Sequence, residues 1–359
     1  MRIKYYFIFL LIFPVFSIFA QRDPMFTFFP WELPFYNPGA MGEKEQHLNF
    51  VGVFRQGDVL ISPEDLEKNT NSQSKTDPLP GDEEKKNTPT KVGQQQILLN
   101  IDSYIKQIRG AVSIMFLKDK IGYNDNVGFR FGYATKIPLR GGKLGIGLQF
   151  GFLNQKPTSD KYNPNQSDDQ TVNLAKESES FLDFDLNFGV HYRAPTWYVG
   201  VSGTQIMGGV RISGEKNIFT PVRNLYATGG YIWNLKTPVP WSIEPSLLLQ
   251  YEFSHISTWS FALMALARYN GILWFGLSYQ LDNGIAACFG AVPFYNNTNQ
   301  YLKGLEIGAA YTFQTKKYSW KNNGSWGDIE ILVRYGLNFY NEKPLTGYGS
   351  SRHLYKNQY

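Results

Sequence analysis

Apolar and polar positions alternate with a period of two along most of the chain. In residues 143–152, Leu144, Ile146, Leu148, Phe150 and Phe152 share one face, while Gly145, Gly147, Gln149 and Gly151 share the other. Successive side chains of a strand point to opposite faces, so this run predicts a strand with one apolar face and one small or polar face. The run before it behaves alike, with Val127, Phe129, Phe131 and Tyr133 set against Gly128, Arg130, Gly132 and Ala134. Residues 138–142 between them supply a turn, which makes the pair a hairpin. The pattern is sharpest at 181–193, where Leu182, Phe184, Leu186, Phe188, Val190 and Tyr192 oppose Asp183, Asp185, Asn187, His191 and Arg193. Such a strand exceeds the ~5–6 residues usual in globular sheets and suits the ~9–11 that a tilted strand needs to cross a bilayer.

The same rhythm marks residues 47–55, 96–104, 109–117, 197–205, 225–233, 241–253, 257–269, 271–281, 284–292, 302–313 and 328–340. These runs predict an all-β chain, a transmembrane antiparallel up-and-down β-barrel of about 14 strands. The connections at 139–142, 193–195 and 269–271 are short, whereas those at 56–93, 154–177 and 207–221 are long and polar. Short turns on one side and long loops on the other are the expectation for a barrel with both termini in the periplasm. The connection at 293–300 fits less well, being long for a periplasmic turn. A soluble two-sheet sandwich also alternates, but its apolar faces pack on each other and its strands run shorter.

Composition narrows the class further. Arg2 and Lys4 precede an apolar run, residues 5–19, that ends at Ala20 before Gln21, and this predicts a cleaved signal peptide at 1–20. No later stretch is long and apolar enough to read as a membrane helix; 257–281 comes nearest and is broken by Arg268, Asn270 and Gly271. The mean hydropathy is −0.31 although 16% of residues are aromatic, a combination that suits a barrel with a polar lumen and aromatic girdles. A single cysteine, Cys288, leaves no internal disulfide and reads as a small buried residue. The formal charge of +5 is scattered along the chain, which argues against nucleic acid as a partner. Residues 62–92 are rich in polar and charged residues and nearly free of aromatics, so they read as a disordered external loop within 56–93.

Catalytic signals are weak. His47, His191, His255 and His353 have no metal-ligand spacing, and no Gly-x-Ser-x-Gly elbow occurs. Neither an enzyme nor a cofactor is expected. The inward positions Arg130, Asp183, Asp185, His191, Glu306 and Arg334 form a candidate polar network in the lumen, or line a path for solutes. Inward glycines at 145, 147 and 151 leave room for a plug or for large neighbours.

The segment 21–46 opens with Gln21-Arg22-Asp23-Pro24-Met25-Phe26-Thr27 and continues to Phe35-Tyr36-Asn37-Pro38-Gly39-Ala40-Met41-Gly42. With Lys118–Gly122, Lys143–Leu148, Tyr198–Ser202, Leu305–Tyr311 and the run 329–339, taken in order, it resembles the PorP/SprF family of type IX secretion system membrane proteins. That resemblance implies a non-enzymatic outer-membrane barrel of the secretion and gliding-motility machinery, with the bilayer lipid around it. Its implied partners are periplasmic or outer-membrane components of that machinery and a secreted adhesin as cargo. Asp23, Pro24, Asn37 and Pro38 become candidates for a periplasmic docking segment or a plug. The barrel is expected at 47–340 and a periplasmic tail at 341–359, which runs past the family's usual aromatic end. A porin or transporter for small or hydrophobic solutes is the alternative function, and an interaction-only scaffold a third.

Overall fold

Among the described residues sixteen strand segments pair into one antiparallel sheet that closes on itself. The computed structural model describes residues 23–43, 48–60, 94–121, 124–157, 180–213, 221–235, 237–253, 258–281, 283–295, 297, 299, 301–314 and 326–337. In chain order the segments are β1 (Leu48–Leu60), β2 (Gln95–Ile105), β3 (Gly110–Ile121), β4 (Asn124–Leu139), β5 (Gly142–Pro157), β6 (Phe181–Arg193), β7 (Trp197–Thr204) and β8 (Val210–Ser213). They continue with β9 (Arg223–Tyr231), β10 (Trp233–Leu235), β11 (Trp241–Phe253), β12 (Thr258–Tyr269), β13 (Leu273–Gln280), β14 (Gly284–Ala291), β15 (Leu305–Gln314) and β16 (Trp326–Leu337). Segment β8 pairs with the far end of β6 and so prolongs β7, while β10 pairs with β11 beyond β9 and prolongs that strand. The wall therefore has 14 strands, and pairing of β1 with β16 closes it. Among the described residues each of the 14 wall strands bonds a neighbour on both sides, and only the short prolongations β8 and β10 bond on one side alone.

The predicted strands are present, with boundaries that move where turn chemistry decides. Residues 139–142 narrow to Arg140-Gly141, both at positive φ, because β4 and β5 pair as far as Leu139 and Gly142. Two residues at positive φ match the twist of the flanking strands, and glycine at the second position adopts that geometry without strain. Arg109 and Gln205, expected at strand ends, also lie at positive φ and fall just outside β3 and β7. The long connections shrink as well. β1 runs to Leu60, β5 to Pro157, and β8 lies inside the connection expected at 207–221. Alternation of loop length is looser than expected, because β3 and β4 are joined through residues 122–123 alone on the side of the long loops. The signal peptide at 1–20, most of the loop at 56–93 and the tail at 341–359 lie outside the described residues.

Outward positions are apolar around the whole wall. Ile101, Ile114, Phe131, Val201, Phe275, Leu277, Phe289 and Ile331 are among the exposed large side chains, the surface a bilayer covers. No helix among the described residues is long and apolar enough to cross a membrane. The hydrophobic core sits inside the barrel, and residues 23–43 supply six of the eight aromatic side chains of its main cluster among the described residues.

Candidate functional site

Residues 23–43 carry four prolines, Pro24, Pro30, Pro34 and Pro38. Proline has no N–H to give to a ladder, so this stretch cannot join the sheet. It forms instead a four-residue helix, α1 (Leu33–Tyr36), with proline in its first turn, and a single 3-10 turn at Pro38–Ala40. The Asn37 side chain accepts a hydrogen bond from Gly39 N–H at 2.8 Å and caps that turn. Tyr36 ties the segment to itself, its hydroxyl accepting from Phe26 N–H at 2.9 Å and donating to the Pro24 carbonyl at 3.2 Å. The neutral phenol hydroxyl can donate and accept at once, and here it does both.

The segment lies in the lumen and touches wall strands on every side. Phe26, Phe28, Phe29, Phe35 and Tyr36 are each at most 1% exposed, so the barrel interior is filled at their level. One flank is aromatic. Trp31 and Phe28 pack on Trp274 of β13 with ring centroids 5.0 and 6.0 Å apart. Gly290 of β14 and Gly308 of β15 make room for that indole, since a Cβ on either would overlap it.

The other flank is nearly free of side chains. Gly145 and Gly147 of β5 lie against the backbone of Pro38 and Gly39, and Gly189 of β6 lies against Asn37; a Cβ at any of the three would overlap these atoms. Gly132 of β4 faces Met41 in the same way. Of the three inward glycines singled out in the sequence, Gly151 has a different neighbourhood, its nearest contact being Arg130 Cγ at 3.6 Å. The bare backbone is then held by polar side chains. Asn37 Nδ2 donates to the Val190 carbonyl at 3.0 Å, Lys136 Nζ to the Gly39 carbonyl at 2.8 Å, and Ser202 Oγ to the Tyr36 carbonyl at 2.6 Å.

The six polar residues expected to form one network are split among separate places. Glu306 and Arg334 do meet, at 3.0 Å, and the Glu306 carboxylate also takes Arg268 at 3.0 Å. That pair belongs to a belt: Arg268 reaches Glu244, Arg334 donates to Asn49, Asn49 donates to Asp102, and Asp102 accepts Gly42 N–H at 2.9 Å. The belt crosses β11, β12, β15, β16, β1 and β2 near their turn ends. His191 instead faces Glu43 at 3.3 Å, and Glu43 also pairs with Arg193 at 2.8 Å. Arg130 donates to the Phe35 carbonyl at 3.2 Å and lies 3.5 Å from Asp23. Asp185 accepts the backbone N–H groups of Leu186 and Met207, and Asp183 lies two residues further along the same face, 1% exposed.

Sequence reasoning did not single out a cluster in the loop half of the barrel. Glu330 accepts the Thr27 N–H at 2.9 Å and the Thr27 hydroxyl at 2.8 Å, while Arg55 pairs with Asp328 and donates to the Met25 carbonyl at 3.1 Å. The signal was available in the inward register of Arg55, Asp328 and Glu330, each on a strand whose other face is apolar. Among the described residues no group of three His, Cys, Asp or Glu side chains is placed to hold a metal.

This geometry is that of an occupied outer-membrane barrel. The family described as type IX secretion system membrane protein PorP/SprF matches residues 90–335. The chain belongs to it. As a member it is a non-enzymatic membrane component, a multi-pass β-barrel of the outer membrane. The matched residues run from just before β2 into β16, so the lumen segment 23–43 precedes them.

No curated protein matches the chain. Among solved structures, the monoaromatic hydrocarbon channel CymD is similar at 11% identity and a TM-score of 0.48, over 88% of this chain and 94% of that one. The Pseudomonas putida toluene transporter TodX is similar at 9% identity and a TM-score of 0.44, over 85% of this chain and 93% of that one. The Acinetobacter baumannii outer membrane protein Omp33 is similar at 8% identity and a TM-score of 0.42, over 81% of this chain and 98% of that one.

Proposed function

We propose that this PorP/SprF-family barrel acts through its two rims rather than through its lumen. In this reading it supports export or surface attachment of cargo such as adhesins by the type IX machinery, in contact with periplasmic components. The observation that supports it is the occupied interior. The segment sets five aromatic side chains, each at most 1% exposed, across the lumen and is hydrogen-bonded to strands on opposite sides. A porin or hydrocarbon channel needs a continuous passage, and water-filled lumens of wide barrels are lined by polar groups instead.

The turn end then faces the periplasm and offers partners the turns at 106–109, 194–196, 236–240 and 292–304, while the long loops face outward and offer cargo their surface. Asp23, Pro24, Asn37 and Pro38 act as part of a plug in this reading, with no side chain left over for docking at that depth. The test is deletion of the gene followed by a census of surface-exposed proteins, with mild-detergent purification of the tagged barrel. Loss of one or more surface adhesins and recovery of periplasmic machine components are expected. An unchanged surface, or ion conductance by the purified barrel in planar bilayers, overturns the reading.

A further inference from the structure

Two neighbouring turns at the turn end of the barrel are built alike. The connection from β2 to β3 closes with Ile108-Arg109-Gly110, and that from β4 to β5 runs Leu139-Arg140-Gly141-Gly142. In each, the carbonyl of the apolar residue accepts a tyrosine hydroxyl from the outward face of the next strand. Tyr133 of β4 donates to Ile108 at 3.0 Å, and Tyr192 of β6 donates to Leu139 at 3.0 Å. In each, the strand after the turn opens with a glycine, Gly110 or Gly142, on which a Cβ would overlap that tyrosine ring. In each, an arginine follows the apolar residue at positive φ, 49° for Arg109 and 46° for Arg140.

Arginine is a poor choice for that backbone. A side chain with a Cβ is strained there, and glycine or asparagine adopts it at lower cost. The same rim holds the easier solution, since β12 and β13 are joined by Asn270-Gly271 at φ 50° and 65°, against 46° and 77° for Arg140-Gly141. The turn geometry therefore does not call for arginine. Strain kept at two matching positions points to what the side chains meet.

Their surroundings belong to the bilayer. Ile108 and Leu139 are 45% and 44% exposed, and Trp197 packs on Tyr192 with ring centroids 5.1 Å apart. Rings with a polar tip collect at the depth of lipid headgroups, so each arginine stands at the edge of the hydrocarbon. Charge at this end is one-sided. Among the described residues Lys106, Arg109 and Arg140 are exposed there, and no aspartate or glutamate of the turn end is.

We propose that Arg109 and Arg140 bind the phosphates of anionic phospholipids in the leaflet at the turn end, one lipid to each turn. A guanidinium takes a phosphate through two parallel N–H···O bonds, while Ile108 and Leu139 meet the first methylenes of the acyl chains. The tyrosine bond fixes the carbonyl just before each arginine, so the charge is carried on a braced turn. Bilayer lipid fits better than an acidic protein, because the apolar and tyrosine side chains beside each arginine continue the outward face of β4 and β6. One sector of the rim is thus given to the membrane, and the turns at 194–196, 236–240 and 292–304 stay available to proteins.

Native mass spectrometry of the full-length barrel in mild detergent tests this, with phosphatidylglycerol and phosphatidylcholine supplied at equal concentration. The parent is expected to retain phosphatidylglycerol in preference. Arg109→Asn combined with Arg140→Asn removes both charges and gives each turn a residue that its backbone suits. This variant is expected to lose that preference by about fivefold for each arginine. Folded outer-membrane barrels keep a compact, fast-migrating form in unheated detergent gels, and the temperature at which this form is lost reports stability. The arginine variant is expected to keep the compact form to at least the parent's temperature, which separates lipid binding from folding. Lys120→Asn combined with Lys156→Asn removes two exposed lysines at the loop ends of β3 and β5, and is expected to retain the parent's preference. An arginine variant with undiminished preference overturns the proposal, as does a parent that takes both lipids equally. A loss matched by the lysine variant would reduce the effect to net charge and overturns it too. A periplasmic protein recovered with the parent but not with the arginine variant, at equal lipid retention, would assign the turns to an acidic partner instead.

Discussion

The wall around β13 and the wall formed by β4 to β7 hold the same proline-rich segment by opposite means. On β13 and its neighbours the lumen face carries bulk: Trp274, with Met264 and Leu266 beside it, packs on Phe28 and Trp31. On β5 and β6 the lumen face is glycine where the backbone of residues 37–39 crosses it, and the segment is tied down by Lys136 on the Gly39 carbonyl, Ser202 on the Tyr36 carbonyl and Asn37 on the Val190 carbonyl. The first wall binds by burying apolar area, which is non-directional and adaptable. The second binds by close approach and directed hydrogen bonds, which fix one register. Together they explain how a segment with no ladder of its own takes a single path through the lumen.

The strongest break of this comparison removes the shared ligand. Deleting residues 23–43 is expected to strip both walls at once, exposing Trp274 on one side and uncovering Gly145, Gly147 and Gly189 on the other. In planar bilayers the parent is expected to be silent and the deletion to conduct, if it reaches the compact form at all. A silent, fully compact deletion variant would show that the segment does not fill the barrel. Trp274→Ala comes next, because it empties one wall only. Truncating a large buried aromatic costs about 3–5 kcal/mol, and denaturant unfolding in detergent micelles measures it. Gly290 and Gly308 enlarge the loss, since both are shaped around the indole and cannot close the gap.

The two walls also differ in how far they could be read in the sequence. Alternation disclosed nearly every strand, because a barrel surrounded by lipid keeps its outward face apolar whatever fills the inside. It disclosed the glycine wall in part: Gly145 and Gly147 were visible as inward and small, but period two says nothing of what lies against them. Gly151, alike in the pattern, has no such neighbour. The aromatic wall was hidden, since Trp274, Met264 and Cys288 are apolar on the lumen side of strands already apolar outside, so both faces read the same. Charged residues were legible as inward but not as partners. Arg334 meets Glu306 through the β15–β16 register, whereas His191 meets Glu43 only because the lumen segment lies inside the barrel. Residues 23–43 were aromatic-rich, and their reading as a docking segment or a plug came from the family resemblance alone. Their place inside depends on tertiary packing that no local pattern encodes.

The glycine wall offers the finest test, because two positions with the same sequence signal should respond in opposite directions. A Cβ at Gly147 overlaps the carbonyl of Pro38, which is backbone and cannot swing aside. Gly147→Ala must therefore lift the segment from β5, loosening the hydrogen bonds from Lys136 and Asn37, at a cost of about 1–3 kcal/mol or more. A Cβ at Gly151 meets nothing nearer than 3.6 Å. Gly151→Ala is expected to be neutral, or to stabilise by up to about 1 kcal/mol by restricting the unfolded chain. Equilibrium unfolding of the two variants side by side checks the pair. Equal destabilisation would mean that β5 resists any added side chain. Destabilisation of Gly147→Ala alone ties the cost to contact with the segment, because the two positions lie on one strand and one face, four residues apart, and differ chiefly in what crosses the lumen in front of them.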